Sequence, residues 1–416
     1  MSHVILASAG THGDVLPFVA LGVALRSRGN RVTLAVNEHF RPMALDKGFE
    51  FVALVSEEET RQFLSDPDLW HPVKCGLVGA RWGVRCLRRQ YELLAEVAAD
   101  GESVLAASPA VLAARLVQEK LSRPLASIYY TPWMIPSCTS PPAMTGGWTL
   151  PRWAPHSIGH LYWRIVDLVG SALLGSHLNK LRTSLGLKRI RRIFQWWISP
   201  DLAIGMFPPW YANPQPDWPS QMRIAGFPMF DGPTDECLNP EVLEFCQTGD
   251  PPIVFTFGTG MMHAADLFRQ AVEACRRIGL PGILLTKHGN QLPNALPPTV
   301  RHFDYVSLQQ LLPHCAAIVH HGGIGTVAKA LATGTPQLII PHAWDQLDNA
   351  RRVEQLNAGD FLTRRRATAV RISRTLVALM NGEMQAQCRE IASRCDDKET
   401  MNLAAEWVEE LSAARS

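Results

Sequence analysis

The 416-residue chain reads as an α/β protein built from two Rossmann-like halves, and three observations lead there. The amino terminus runs strand, glycine turn, helix and strand. The same series starts again at Ile253 and culminates in the stretch HHGGIGT at His320–Thr326. Between the two lies a proline-rich run, Pro208–Gly232, where extended backbone is favoured over helix. The length exceeds one ordinary core and suits two domains of roughly 200 residues each.

In chain order, His3–Ala7 is an apolar run with the character of a buried strand. Gly10, Thr11, His12, Gly13 and Asp14 form a turn, and a helix follows from about Val15 to Arg28, with Phe18, Leu21 and Leu25 inward and Gly29 as its stop. Arg31–Val36 is a second strand, closing a βαβ unit. Phe51–Val55, Ser103–Ala107 and Leu125–Tyr129 are further strands with helices between them. Thr131–Pro155 has no period and reads as loop. Leu161–Leu185 and Arg191–Ile198 read as helix, and Leu202–Phe207 as the strand that completes the first sheet. In the second half, strands at Ile253–Phe257, Gly282–Thr286 and Val300–Tyr305 precede the glycine stretch, and Arg371–Leu411 is helical in pattern.

The most informative segment is His320–Ala350. Ala316–Val319 is a short strand, Gly322–Gly325 a glycine turn, and Ile324, Val327, Ala328 and Leu331 recur at helical spacing. Glycines let backbone approach a ligand closely, and a helix start offers amides and the positive end of its dipole, so a diphosphate fits at Gly325 and Thr326. His320 and His321 stand at the carboxyl end of the strand, the edge where open α/β sheets hold ligands. Gln337–Ile340 is the next strand, and Asp345 and Gln346 follow it on the same edge as short polar groups suited to sugar hydroxyls.

Composition excludes several classes. The net charge is +2 with 19% charged residues, so no global field draws the chain to nucleic acid. Nine cysteines without CxxC spacing argue for reduced thiols in a cytoplasmic setting and against a zinc or disulfide framework. The first residues lack a basic leader, and the most apolar helical stretch, Ile165–Leu174, carries Asp167 and fails as a membrane span. A chain that is soluble, or peripheral to the inner membrane, is expected. Lys188–Trp197, KRIRRIFQWW, is basic and aromatic like an interfacial helix, although such a run is more often a solvated face.

The strand, glycine turn, helix, strand and terminal Asp-Gln together resemble the donor-binding signature of the UDP-glycosyltransferase superfamily, here His320, Gly322, Gly325, Thr326, Asp345 and Gln346. Within it, RIFQWWISPD at Arg192–Asp201, PQPDWP at Pro214–Pro219 and GFPMFDG at Gly226–Gly232 look most like the bacterial rhamnosyltransferases of rhamnolipid synthesis. Gly10, Gly13 and Asp14 resemble the GxxGD turn of bacterial antibiotic and sterol glycosyltransferases, whose Asp is the candidate base.

The resemblance implies the GT-B architecture, two facing Rossmann-like domains with a deep cleft. It divides the chain into an acceptor domain at 1–215, a linker at 216–235, a donor domain at 236–395, and a helix at 396–416 that crosses back to the first domain. Plant members pair a catalytic His with an Asp after the strand corresponding to Ser103–Ala107; here Ser108 stands in that place, which leaves open what tunes Asp14. Val306 and Gln309 fall where related enzymes hold the nucleoside.

Glycosyl transfer to an alcohol needs a proton acceptor, donors for the departing diphosphate and contacts to the sugar. Asp14 is the expected base, with His12 as runner-up; an Asp at this place can equally be a helix cap. Gly13, Thr259, His320, Gly322, Gly323, Gly325 and Thr326 are expected around the donor, Asp345 and Gln346 on its sugar. His320 could instead be a satisfied core histidine. Trp133, Met134 and Trp148, with Trp153 and Trp163, make either an apolar acceptor wall or ordinary core. Asp66, Pro67 and Asp68 match an Asp-x-Asp metal motif formally but sit in a turn far from the signature, so neither metal nor cofactor is expected.

The function expected is a metal-independent inverting hexosyltransferase using a dTDP- or UDP-sugar, of rhamnose or glucose type, and an apolar, lipid-like hydroxylated acceptor. A non-catalytic sugar-nucleotide-binding partner protein and a sugar-nucleotide epimerase of the same fold remain as alternatives.

Overall fold

The computed structural model describes residues 2–143, 150–151, 154–230, 238–395 and 399–413. Two parallel sheets organise them. The first has seven strands: β1 (His3–Ala7), β2 (Arg31–Asn37), β3 (Glu50–Val55), β4 (Val104–Ala107), β5 (Leu125–Tyr129), β6 (Leu202–Gly205) and β7 (Met222–Ile224), in the order β3-β2-β1-β4-β5-β6-β7. The second has six: β8 (Ile253–Thr256), β9 (Gly282–Leu285), β10 (Val300–Phe303), β11 (Ala317–His320), β12 (Gln337–Ile339) and β13 (Gly359–Phe361), ordered β10-β9-β8-β11-β12-β13.

Near-continuous apolar runs are what strands need when helices cover both faces. β1 shows it: Val4 and Leu6 enter one core cluster with Phe18, Leu21 and Leu34, while Ile5 and Ala7 enter another on the opposite face with Leu54 and Leu94, as the period of two requires. Each sheet reverses its winding once, between β1 and β4 and between β8 and β11. At such reversals the loops diverge and leave a crevice beyond the carboxyl ends of the strands. The turn at Gly10–Asp14 leaves β1 at one crevice, and Gly258 and the HHGGIGT stretch leave β8 and β11 at the other.

Two elements fall outside the sequence pattern. β7 lies within the run expected to be linker, where three residues pair with β6, and β13 adds an edge strand after the helix Gln346–Gln355. The last helix, Thr400–Ala413, packs on the first domain: Ala404, Ala405 and Val408 join the cluster around Val4 and Phe18, and Asn30 Nδ2 donates to Glu409 Oε1 at 2.6 Å.

Apolar contact also joins the domains. Met134, Tyr129, Phe207 and Tyr211 of the first pack with Ile324, Val327, Leu331 and Ile339 of the second. Among the described residues no helix is long and apolar enough to cross a membrane.

Candidate active site

Asp14 stands at the third position of the helix His12–Ser27, and both of its oxygens are engaged. Oδ2 accepts from the Thr11 amide at 2.7 Å and from Thr11 Oγ1 at 3.0 Å; Oδ1 accepts from Tyr130 Oη at 2.8 Å. The carboxylate therefore caps its helix with one oxygen and turns the other to the crevice. Gly10 permits this: its backbone is left-handed at φ +142°, and a Cβ there would sit 2.3 Å from Asp14 Oδ2. Burial pushes the Asp14 pKa up, while the Tyr130 and Thr11 hydrogen bonds pull it down. Tyr130 thus supplies the contact to Asp14 that a charged partner at Ser108 would otherwise make. It follows β5 directly, and reading the residue after every strand end would have found it.

His12 opens the same helix. Its ring lies 5.0 Å from that of Phe40, and burial, then Lys287, His39 and Lys329, drive its pKa down to about 4. Its Nδ1 is 3.4 Å from Thr259 Oγ1 in the second domain. The neighbouring Gly260 is so close to the first domain that a Cβ would lie 3.0 Å from Thr11 and 3.1 Å from Leu64. Another close approach is Gly79 against the Trp344 ring, where Trp344 adopts φ +59° just before Asp345. The carboxyl edges of the two sheets therefore face each other.

On the second domain the histidine pair divides its labour, and the expectation for His320 is corrected. His320 is fully buried; its Nδ1 accepts from the Gly322 amide at 3.1 Å, which puts the proton on Nε2, and Nε2 meets Gln337 Oε1 at 3.0 Å. Both nitrogens are spent on the fold, so it has no donor left for a ligand. His321 is the one aimed at the crevice: it lies between Gly258 and Gly323, where a Cβ would meet its ring at 3.0 and 2.5 Å. Its buried Nδ1 has no partner among the described residues, and burial lowers its pKa to about 4. Gly322 is left-handed at φ +93° and backed by Ile339 and the Gln346 carbonyl, so any side chain would strain the turn.

The helix Ile324–Ala332 starts there. The Thr326 amide donates to the Gly323 carbonyl at 3.0 Å, so the first-turn amides left for an anion are those of Ile324 and Gly325, with the Thr326 hydroxyl beside them. A Cβ on Gly325 would meet nothing within 4 Å; the space before this helix start is open.

Asp345 immediately precedes the helix Gln346–Gln355 without a side-chain cap bond to it, and its Oδ2 accepts from Asn349 Nδ2 at 2.8 Å. Burial raises its pKa to about 7, and the charge of Asp14 adds to the rise, so the two carboxyls sense each other across the domains. Gln346 departs from expectation. It is buried, and Oε1 accepts from the amides of His342 and Ala343 at 2.7 and 3.1 Å, bracing the loop rather than pointing outward. Asn349, one turn after Asp345, ties Gly322 O (2.9 Å) to Tyr211 Oη (3.0 Å). Neither buried ring nitrogen of His342 has a partner among the described residues.

Val306 packs on the core beneath β10 and Gln309 is exposed just beyond; both lie past the carboxyl end of that strand. Met134, expected as acceptor wall, is 7% exposed within the interdomain cluster, with Trp133 half-buried against it: the second domain covers them. Trp148 and Trp153 lie outside the described residues. Asp66 accepts from the Asp68 amide at 2.9 Å, and Asp68 pairs with Lys74 at 2.9 Å, which commits both carboxylates to their own turn. A surface hollow of about 430 Å³ near Arg31 and Glu50 lies at the opposite, amino edge of the first sheet.

Residues 4–138 match the glycosyltransferase family 28 N-terminal domain, and residues 282–411 match the erythromycin biosynthesis protein CIII-like C-terminal domain. The chain is a GT-B glycosyltransferase. This glycosyltransferase is 28% identical over 355 residues to the O-mycaminosyltylonolide 6-deoxyallosyltransferase of Streptomyces fradiae, spanning 81% of its own length and 80% of the relative's. It is 26% identical over 375 residues to the sterol 3-beta-glucosyltransferase of Arabidopsis thaliana, spanning 86% of its own length and 57% of the relative's. The spinosyn rhamnosyltransferase complexed with thymidine diphosphate shares its fold at a TM-score of 0.67 and 18% identity, over 99% of this chain and 100% of the other.

Proposed function

We propose that the glycosyltransferase moves a hexose, of rhamnose or glucose type, from a dTDP- or UDP-sugar to the hydroxyl of an apolar or lipid-like acceptor, with inversion and without a metal ion. The observation that carries this is a pair of carboxyls on facing edges: Asp14, held by Thr11 and Tyr130, and Asp345, raised partly by the Asp14 charge, with the open helix start at Gly325 on the donor side.

Asp14 Oδ1 takes the acceptor proton. The freed oxygen attacks the anomeric carbon as the bond to the diphosphate breaks, and a single displacement between opposed domains inverts that carbon. The diphosphate departs toward the amides of Ile324 and Gly325, the Thr326 and Thr259 hydroxyls, and His321. Asp345 holds sugar hydroxyls, and Val306 and Gln309 flank the nucleoside. Between the two candidate bases the directions differ: burial raises the Asp14 pKa and makes its carboxylate a better proton acceptor, while His12, driven down to about 4, is a weaker base than an ordinary imidazole. No cation is called on, because the helix start supplies positive potential and Asp66 and Asp68 are committed elsewhere.

The names of the relatives support the substrate classes: a 6-deoxyhexose transferase, a sterol glucosyltransferase and a thymidine diphosphate complex. The test combines transfer assays on hydroxylated acceptors of rising chain length, a simple sugar as control, and a chelator arm. Each buried methylene adds about 0.8 kcal/mol at best, so affinity rises with chain length and the chelator changes nothing. Asp14→Asn lowers transfer by about 10²-fold or more with donor affinity unchanged. A fully active Asp14→Asn, or efficient glycosylation of the sugar alone, overturns the reading. Donor epimerisation without acceptor would establish the epimerase alternative.

A further inference from the structure

The helix His156–Gly170 is docked the wrong way round for a soluble surface. A surface helix normally buries its apolar stripe; this one buries Gly159, Asp167 and Gly170. Gly159 lies against Cys138 and Gly170 against the Phe194 ring, close enough that a Cβ would clash at 2.8 and 2.5 Å. Asp167 accepts from the Phe194 amide at 2.9 Å and pairs with Arg192 at 3.3 Å. The apolar side faces outward: Ile158, Leu161, Ile165, Leu168 and Val169 are 45–70% exposed. Steps of three, four and three residues from Ile158 to Leu168 keep them on one face. They make five of the twelve strongly exposed large hydrophobics among the described residues, so the exposure is concentrated rather than scattered, the pattern that marks an interaction site.

Charge points to the occupant. Residues 154–200 hold seven Lys and Arg and a single acidic residue, the buried Asp167, in a chain of net charge only +2. Arg164 sits on the rim of the apolar face. Arg191 abuts the carboxyl end of the helix, its carbonyl accepting from Ser171 Oγ at 2.9 Å, and Lys188 and Arg189 precede it. All four are exposed, and their charges contrast with Arg192, which has Asp167. A second copy of the chain on this ridge would bring two such cationic rims together, which is repulsive. Anionic lipid satisfies both halves of the surface.

We propose that this helix and the basic run Lys188–Arg192 dock the enzyme peripherally on an anionic lipid surface. The helix lies flat, with Ile158, Leu161, Ile165 and Leu168 entering the boundary between headgroups and acyl chains and the cations resting on lipid phosphates. The docking does not depend on which acceptor or donor the active site takes.

The test is sedimentation of the full chain with phosphatidylglycerol–phosphatidylethanolamine vesicles and with pure phosphatidylcholine vesicles. Binding is expected on the anionic vesicles, weaker on phosphatidylcholine, and reduced by salt. A Leu161→Glu/Leu168→Glu variant should lose about tenfold or more in partitioning. A Lys188→Glu/Arg189→Glu/Arg191→Glu variant should lose on the order of 100-fold on anionic vesicles, since each cation near such a surface is worth roughly a fivefold factor. All these positions are exposed, so thermal midpoints should stay at the wild-type value and report that the variants fold. Failure of the wild type to sediment with anionic vesicles overturns the proposal, as does equal sedimentation of the variants. A concentration-dependent dimer that Leu161→Glu/Leu168→Glu abolishes, without vesicle binding, would assign the ridge to a second copy instead.

Discussion

Asp14 is both a helix cap and the candidate base, and the two roles use different oxygens. Tyr130 then becomes a positioning residue with a readable signature. Its hydroxyl donates to the carboxylate and so favours the ionised form. In Tyr130→Phe that donor is gone, the Asp14 pKa climbs further, and the acidic limb of the kcat/KM profile moves to higher pH; an unmoved limb removes Tyr130 from the assignment. The adjacent histidines make a second contrast. His320→Ala strips the Gly322 amide and Gln337 of their partner in a fully buried site, and should cost about 2–4 kcal/mol in unfolding measurements. His321→Ala should leave stability near wild type and weaken nucleoside diphosphate binding by roughly 1.5–3 kcal/mol, read by calorimetry. The reverse pattern would restore His320 as the ligand.

The turn and helix from Gly322 to Ala332 act as one element. Its left-handed Gly322 is held by Ile339 and the Gln346 carbonyl, its first amides are unspent, and Gly325 faces open space. Gly325→Glu separates folding from binding: an acidic side chain in the first helical turn is favourable to the helix dipole, and a Cβ there meets nothing. The thermal midpoint should therefore hold or rise slightly. The same charge repels a diphosphate, and affinity for dTDP or UDP should fall by more than about tenfold. Unchanged affinity would move the diphosphate away from this helix start.

For the whole molecule, the facing of the two domains brings together two carboxyls that burial disfavours as anions. Asp345 titrates near 7 in the folded protein against 3.8 ordinarily, and Asp14 is also raised. A raised carboxyl binds its proton more tightly when folded, so its contribution is fully present below the unfolded pKa and is lost as pH rises through the folded one. The ligand-free enzyme should lose stability between about pH 4 and 7, and Asp345→Asn should be the more stable protein at pH 8, by on the order of 1–3 kcal/mol, while transferring sugar poorly. Denaturant titrations at pH 4 and pH 8 check this: the gain should vanish at pH 4. A gain that persists at low pH would mean that charge is not its cause.

Local chemistry was enough for the strand series, the glycine turns, the helix stop at Gly29 and the position of Asp14, because apolar runs, left-handed glycines and caps act within a few residues of themselves. It was not enough for β7, whose three residues Met222–Ile224 become a strand only because β6 offers an edge beside a proline-rich run, nor for β13 at Gly359–Phe361. The orientation of HHGG lay beyond it too. A strand covered on both faces has no polar side in its pattern, so whether His320 or His321 meets the crevice depends on where Gln337 and Gly258 stand in space. Met134 reads as an apolar residue in a loop, and only the second domain packing over it makes it core. Tyr130 carries no motif at all; it matters because β5 lies two strands from β1 in the sheet, across β4, with its hydroxyl within reach of Asp14. A sequence records which groups can hydrogen-bond or be buried, and the assembled sheets decide which of those groups have already found their partners and which are left for a ligand.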